Sequence, residues 1–268
     1  MKFNYSTLIM VRSTSANKKK SIKEELDTGL DMNLDPVAIA KNAFISNISH
    51  EIRTPMNAIM GFAQMLKSTE LNPQQSDYLD VILDSGKKLL LLIGNLLDLS
   101  NLQMGKTNLH PVDCDLDKMI DRIWAQFRPL IAEKNLKPIL DVQHDLPIAI
   151  VDEEKLERLL SFILTNAIKF TETGSVTLRI RLMDMSSEYP WLDIEVEDTG
   201  CGIEPDRLRY IFQVFEQADN SITRSYPGLG LGLGLSGKIV ELLGGEISAT
   251  STVNIGSCFH LKIPVELH

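Results

Sequence analysis

Two long stretches of helical hydrophobic spacing constrain this chain more than any other feature of its sequence. The first stretch begins at Asp35-Pro36, where the acid can cap a helix and proline fits the first helical position, whose N–H lacks a partner in any case. Apolar residues then recur on one helix face: Phe44, Ile48, Ile52, Ile59, Phe62 and Leu66. Asn72-Pro73 is a second start of the same type, and leucine-rich sequence follows it to about Met104.

These two segments predict an αα-hairpin with more apolar surface than one hairpin can bury against itself. A second copy of the chain would cover the remaining surface and complete a four-helix bundle. The sequence therefore predicts a homodimer formed through residues 35–106. Residues 1–34 are polar, and we interpret them as a linker or the tail of an upstream module.

A different pattern, typical of a second domain, covers residues 107–268. Short strands are predicted near 137–143, 174–183, 191–198, 245–251 and 257–264, and helices near 115–134, 153–169 and 232–243. This interleaved order predicts an α/β sandwich with one mixed sheet. The predicted fold class is therefore α+β and multidomain, with a helical hairpin followed by the sandwich.

Composition excludes several kinds of partner. The net charge of −9 leaves no broad basic surface for nucleic acid or for an anionic membrane. No run reaches the ~18 apolar residues of a membrane span, so we expect no membrane contact by this segment. The cysteines Cys114, Cys201 and Cys258 are widely spaced, which is typical of reduced thiols. We expect a cytoplasmic location, although a longer parent protein could be tethered to a membrane upstream.

The first predicted helix carries a histidine, His50, on the side opposite its apolar face. By itself, an exposed histidine is typical of an ordinary surface residue. Here Glu51 follows it, and a carboxylate at this position can raise the nucleophilicity of the imidazole. Pro55 removes a helix hydrogen bond one turn later and is expected to bend or loosen the helix. These neighbours indicate a moving reaction centre rather than a scaffold.

The segment "SHEIRTPMNAIMGFAQML" closely resembles the phosphoacceptor H-box of sensor histidine kinases of two-component systems, including hybrid kinases. This resemblance implies that His50 accepts the γ-phosphoryl group of ATP and that Glu51 assists its deprotonation. It also implies that Thr54 positions water when the protein acts as a phosphatase.

Two further segments resemble the nucleotide-binding boxes of the same family. Asp198, at the end of a predicted strand, is followed by Gly200 and Gly202, as in the G1 box, whose aspartate accepts a hydrogen bond from the adenine amino group. The helix segment "TNAIKFT" resembles the N-box, which implies that Asn166 binds Mg²⁺ and that Lys169 contacts phosphate. We expect the two glycines to let a ligand approach the backbone closely.

The glycine-rich run "YPGLGLGLGLSGKIVELLGG" suggests two other phosphate motifs that fail. It lacks the preceding strand of a dinucleotide fingerprint, and Ile239 stands where a P-loop needs Ser or Thr. Aligned by "VELLGG", it resembles the G2 box, which ends a lid and opens a helix whose N–H groups face the phosphates. The glycines that fill this role are Gly228, Gly230 and Gly232. On this alignment Gly234 and Gly237 fall inside the helix.

The remaining boxes complete an ATP-binding domain of the Bergerat type. "IFQVFEQADNSITRSY" resembles the F-box and ATP lid, with Phe212 and Phe215 anchoring the lid and Arg224 reaching the phosphates. "GSCFHLKIP" resembles the G3 box, with Gly256 and Ser257 turning into the last strand. The resemblance implies ATP and Mg²⁺ as cofactors and a response-regulator receiver domain, phosphorylated on an aspartate, as partner.

Two departures from the family pattern keep alternative functions open. Phe162 stands four residues before Asn166, where ATP-hydrolysing clamps carry a glutamate, and this argues against a hydrolytic ATPase. Leu229 stands where the family often has threonine. Together the departures leave a second class of function, a dimeric scaffold that binds nucleotide weakly or not at all and regulates a partner kinase.

Overall fold

The structure is a computed structural model that describes residues 8–12, 36–185, 190–213 and 231–267. The chain divides into two compact units. One unit is Leu30–Asn108, which we call the hairpin unit. The other is Leu109–His268 together with Met1–Gly29, which we call the sheet unit.

The hairpin unit consists of two helices, α1 (Pro36–Lys67) and α2 (Pro73–Gln103), and both begin at the predicted prolines. Asn72 caps α2 through a capping box, because its side chain accepts from Gln75 N at 2.8 Å while its own N–H donates to Gln75 Oε1 at 3.0 Å. Among the described residues, no helix is both long enough and apolar enough to cross a bilayer.

The hairpin unit buries some of its apolar side chains and leaves others exposed. Ala63, Leu79 and Leu83 are buried, with two partly buried residues packed against them. Other large apolar side chains stay exposed in the single chain, including three from the predicted apolar face: Ile59 (50% exposed), Phe62 (66%) and Leu66 (52%). The predicted stripe therefore exists, but one hairpin covers only part of it.

The sheet unit contains a six-stranded mixed sheet in the order β1-β7-β8-β6-β5-β3. Only the β3–β5 pair is parallel among the pairings of this sheet in the described residues. Its strands are β1 (Leu8–Arg12), β3 (Lys137–Val142), β5 (Ser175–Met183), β6 (Trp191–Asp198), β7 (Glu246–Thr252) and β8 (Gly256–Pro264). Apart from β1, these are the five predicted strands.

A second sheet corrects the prediction of a single one. It is antiparallel, with the order β2-β4-β9, and consists of β2 (Val112–Asp115), β4 (Ile148–Val151) and β9 (Glu266–Leu267). Strands of two to four residues leave too few positions for a period-2 pattern, which is why the sequence did not reveal them.

The helices of this unit are α3 (Leu116–Glu133), α4 (Glu153–Phe170), α5 (Pro205–Leu208) and α6 (Leu231–Leu242). The core lies between the large sheet and α4, which contacts β5 and β6. Leu160 and Ile163 of α4 and Ile194 of β6 are fully buried. Because β6 alternates buried and half-buried residues along its length, its last residue, Asp198, is on the buried face.

The N-terminal strand β1 was not predicted, since residues 1–34 had been interpreted as linker. Leu8–Arg12 pairs antiparallel with the edge strand β7, with Leu8 opposite Thr250 and Arg12 opposite Glu246. An open sheet edge presents unpaired backbone groups that any extended segment can pair with. Four of its five residues are apolar, but so short a run carries no sequence signal that specifies its partner strand.

Candidate active site

His50 lies on α1 with its side chain exposed to solvent, as the helical spacing predicted. Glu51 and Thr54 are also exposed, and the Thr54 hydroxyl donates to the carbonyl of His50 at 3.2 Å. The preceding Ser49 is only 2% exposed. Pro55 lies inside the helix and has no N–H to offer the preceding turn. The imidazole can therefore be approached from solvent on a helix that is weakened one turn away.

Asp198 ends β6 as a buried carboxylate, 5% exposed. Two backbone N–H groups donate to its Oδ1, from Gly200 at 2.9 Å and from Ser257 at 3.3 Å. Burial raises the pKa of Asp198 to about 6, and the two hydrogen bonds oppose that rise only partly. Because both donors among the described residues reach Oδ1, the carboxylate is suited to accept a further hydrogen bond from a ligand.

Gly200 and Gly202 are also required by close packing within the chain, while the approach of a ligand to their backbone stays a prediction. A Cβ on Gly200 would lie 2.3 Å from the carbonyl oxygen of Phe170, and one on Gly202, where φ is +70°, would lie 2.2 Å from that of Thr252. The glycines thus let the loop after β6 pack against the chain's own backbone. This loop therefore packs against both the end of α4 and the end of β7.

The end of α4 brings the predicted magnesium ligand next to the start of α6. Asn166 and Lys169 are both half-buried. A Cβ on Gly232, in the first turn of α6, would lie 3.9 Å from Asn166 Nδ2, so the two helices meet at this point. Burial lowers the pKa of Lys169, and its ammonium lies 4.9 Å from the centre of the Phe170 ring.

Phe162 contributes an aromatic ring, not a carboxylate, to the same junction. Its Cδ1 would lie 3.8 Å from a Cβ on Gly232, and the guanidinium of Arg158 lies 5.6 Å from its ring centre. The position that holds a glutamate in ATP-hydrolysing clamps therefore offers no general base here.

The F-box and G3 residues lie on the core side of the site. Phe212 packs edge-on against Phe259, with ring centres 6.3 Å apart. Ser257 is buried, and its hydroxyl lies 3.0 Å from that of Ser251. Other residues that the sequence singled out lie outside the described residues: Phe215, Arg224, Gly228, Leu229 and Gly230.

Sequence reasoning missed the hydrogen bonds that hold the N-terminal end of α4. At its N-terminus, Asp152 is 3% exposed and accepts from Lys155 N at 3.0 Å, which is a normal N-cap. The same carboxylate accepts from His110 N at 2.8 Å, in the segment that follows the hairpin. The N-cap could have been found from "DEEKL", whereas the contact to His110 spans 42 positions and leaves no local signal.

A separate group of metal-ligand side chains lies away from Asp198. Ligand atoms of Glu195, Cys258 and His260 are within 4.8 Å of one another. Glu195 and Glu197 both pair with Arg179, at 3.3 and 2.6 Å. Strand alternation puts Glu195 and Glu197 on the face opposite Asp198. Glu195 is therefore held by an ion pair with Arg179, and His260 Nδ1 lies 3.4 Å from the same carboxylate.

Two family models match this chain. Residues 40–105 match the His Kinase A (phospho-acceptor) domain, and residues 151–267 match the histidine kinase-, DNA gyrase B- and HSP90-like ATPase. The first match contains His50, and the second contains the predicted nucleotide-binding residues.

Curated relatives carry the same assignment. Sensor protein GacS of Pseudomonas syringae pv. syringae is 40% identical over 84% of this chain and 25% of that protein. Signal transduction histidine-protein kinase BarA of Escherichia coli (strain K12) is 36% identical over 85% of this chain and 25% of that protein. The chain therefore spans about a quarter of the length of these relatives.

Solved structures agree on the fold. Full-length ShkA in complex with AMPPNP has a TM-score of 0.72 and 29% identity, covering 84% of this chain and 46% of that chain. The histidine kinase AdeS of Acinetobacter baumannii has a TM-score of 0.55 and 22% identity, covering 80% of this chain and 97% of that chain, a likeness of fold alone.

Proposed function

Since this chain belongs to the sensor histidine kinases, we propose that it autophosphorylates His50 from ATP and passes the phosphoryl group to an aspartate of a response-regulator receiver domain. The observation that carries the proposal is that the candidate acceptor and the candidate nucleotide-binding residues lie in different units. An exposed histidine lies on the hairpin, while a buried carboxylate and the Asn166–Gly232 junction lie in the sheet unit. We assign the acceptor to residues 35–106 and ATP binding to residues 107–268.

Each nucleotide contact follows from the chemistry of one group. The Asp198 carboxylate would accept from the adenine amino group, because a buried acceptor strongly favours a donor that fits it. The first turn of α6 presents backbone N–H groups, which suit an anionic phosphate. ShkA was solved with AMPPNP, which supports an ATP-type ligand for this fold.

Magnesium fits the residues at the junction of α4 and α6. The amide oxygen of Asn166 is a hard donor of the kind that Mg²⁺ uses beside phosphate oxygens. Asn166 Nδ2 would lie 3.9 Å from a Cβ on Gly232, so this side chain lies beside the first turn of α6. The ion, when bound, would neutralise charge on the transferring phosphate. Lys169 would contribute a second positive charge there.

On the acceptor helix, Glu51 would help to deprotonate and orient His50. We also propose phosphatase activity, in which Thr54 positions water for hydrolysis of the receiver's phosphoaspartate. Both side chains are exposed on the same stretch of α1 as His50, which lets them reach a docked partner.

We propose that two chains pair through the hairpin unit. Large apolar side chains exposed on both helices, among them Phe62 and Val81, need a partner surface of the same kind. A second hairpin supplies that surface by symmetry and completes a four-helix bundle.

Incubation with γ-labelled ATP and Mg²⁺ tests this proposal against its two rivals. A kinase gives an acid-labile label that is lost in His50→Gln. A signalling scaffold stays unlabelled although circular dichroism shows it to be folded. An ATPase clamp instead releases phosphate steadily, and the release survives His50→Gln.

A further inference from the structure

We propose that Lys134 is a positioning residue for nucleotide binding, because it orders the C-terminal end of α4, where Lys169 lies in the last turn and Asn166 directly before that turn. This inference rests on the proposed function. Lys134 touches neither of those side chains in a described hydrogen bond. It acts through the helix backbone.

The Lys134 ammonium reaches three backbone carbonyls at the end of α4. Its Nζ lies 2.8 Å from Ile168 O, 3.3 Å from Lys169 O and 3.4 Å from Thr171 O. An ammonium has three donors, so one side chain can serve all three acceptors. A positive charge is also favoured at the negative end of a helix dipole.

The neighbouring carbonyls are held by other groups, which makes this helix end fully satisfied. The last four carbonyls of a helix lack intrahelical donors. The Thr171 hydroxyl donates to Ala167 O at 2.6 Å, and Cys201 N donates to Phe170 O at 3.3 Å. The second bond joins the end of α4 to the loop that follows Asp198. Disorder in this last turn would therefore disturb both sides of the nucleotide site.

The backbone at Lys134 is held in place, because α3 ends there in a Schellman-type turn. Asn135 adopts φ +58° and donates to Ala132 O at 2.8 Å, and Leu136 N donates to Ile131 O at 3.1 Å. The backbone that carries the ammonium is thus anchored to α3. Lys134 consequently links the end of α3 to the end of α4.

The expected effect is local. Lys134 is exposed, so its contribution to the stability of the whole unit is small. Its described hydrogen bonds, however, go to the carbonyls of Ile168 and Lys169, so the effect of removing the ammonium is expected in the last turn of α4. Ligand affinity falls in proportion to the fraction of molecules in which the binding groups are ordered.

The test compares the full chain with Lys134→Met, Lys134→Arg and the matched control Lys137→Met, which removes the same charge from an exposed residue three positions away. The dissociation constant of AMPPNP with Mg²⁺ is measured by calorimetry. Lys134→Met should weaken binding about 3- to 10-fold. Arginine should restore most of the affinity, and Lys137→Met should change it less than about 2-fold, within the usual range for a surface site.

Two further readouts separate positioning from general stability. In Lys134→Met, the KM for ATP should rise with kcat little changed at saturation. Hydrogen exchange should accelerate at residues 167–171 and 199–202, while the melting temperature falls by less than ~4 °C. Unchanged AMPPNP affinity in Lys134→Met would overturn the proposal, as would a variant that fails to fold. If the unaltered chain binds no AMPPNP, the proposed function fails instead.

Discussion

The hairpin unit and the sheet unit bury their apolar side chains in different ways. On the hairpin, Phe62 and Val81 are 66% and 65% exposed. In the sheet unit, Leu160 and Ile163 are fully buried. The sheet unit thus completes its core within one chain, whereas the hairpin needs an apolar surface from outside. This difference indicates that a second chain matters for the hairpin but not for the fold of the nucleotide site.

The two units also treat their polar groups differently. His50 is exposed on α1, while Asp198 is 5% exposed and held by two backbone donors. A group that must meet successive partners needs access, whereas a group that reads one ligand benefits from a fixed, desolvated position. The proposed phosphoryl acceptor, His50, and the proposed adenine contact, Asp198, therefore lie in surroundings that suit the roles proposed for them.

The largest effect should come from a charge placed on the exposed hairpin face. Phe62→Glu removes a side chain whose burial is worth up to ~3 kcal/mol and puts a carboxylate in its place, twice per symmetric dimer. We expect the dimer dissociation constant, measured by analytical ultracentrifugation, to rise more than ~100-fold.

Gln64→Glu, which adds the same charge at another exposed position of α1, is the control and should dimerise nearly normally. AMPPNP binding should be unaffected in both variants. A Phe62→Glu chain that stays dimeric would show that the exposed face is not the interface.

A cavity in the sheet unit should lower the stability of that unit and leave dimerisation unchanged. Leu160→Ala removes fully buried methyl groups, so unfolding of this unit should become easier by about 2–5 kcal/mol. Denaturant melts monitored at Trp191 or Trp124 measure this loss. Thr165→Ala, at an exposed position of the same helix, should cost less than about 0.5 kcal/mol. Dimer dissociation caused by Leu160→Ala in the folded state would contradict the independence of the two units.

Asp198→Asn should separate stability from function. Folding raises the pKa of Asp198 from 3.8 to about 6. Between these two pH values, the folded chain therefore keeps a proton on Asp198 that the unfolded chain has lost. The stability associated with this group is full below pH 3.8 and is lost as pH rises to about 6.

At pH 7 the neutral asparagine should therefore increase the free energy of unfolding by about 2–3 kcal/mol. It should also flatten the stability profile between pH 4 and 6, while AMPPNP affinity falls because the charged acceptor is gone. Denaturant melts across this pH range measure the first effect. An asparagine variant with reduced stability and an unchanged pH profile would contradict the assignment.

The smallest effect concerns a glycine inside α6. A Cβ on Gly237 would meet its nearest neighbours at 3.5 and 3.6 Å, both in Phe212, which is ordinary contact. Gly237→Ala should therefore stabilise the unit by up to ~1 kcal/mol through helix propensity. Gly200→Ala is the contrast, because its Cβ would collide with Phe170 O and should destabilise the unit. Thermal melts that show equal losses for both variants would refute this distinction.

Local signals predicted much of the fold. Asn72-Pro73 marked the start of α2, and the alternation before Asp198 placed that residue at the end of β6. Both depend on neighbours within a few residues. The strands β2, β4 and β9 were missed because they are short, and β1 because its partner lies more than 230 positions away.

The candidate site was predicted residue by residue, but its supports were not. The expectation that Gly200 makes room for a ligand stays a prediction, whereas its close approach to Phe170 O, 30 positions earlier, had no local signal. Lys134 had no recognisable pattern, since its acceptors lie 34 to 37 positions later. Contacts of this range depend on how α3 and α4 pack, which no local sequence pattern specifies.

The most direct test of the central claim is to map the phosphorylated residue. The full chain is incubated with ATP and Mg²⁺, digested at neutral pH and analysed by mass spectrometry, with Asp198→Asn and His50→Gln in parallel. We predict one phosphorylated residue, His50, with no phosphate on His50→Gln and less phosphate on Asp198→Asn than on the unaltered chain. Phosphate on a serine or threonine, or none on a chain that binds ATP, would contradict the account.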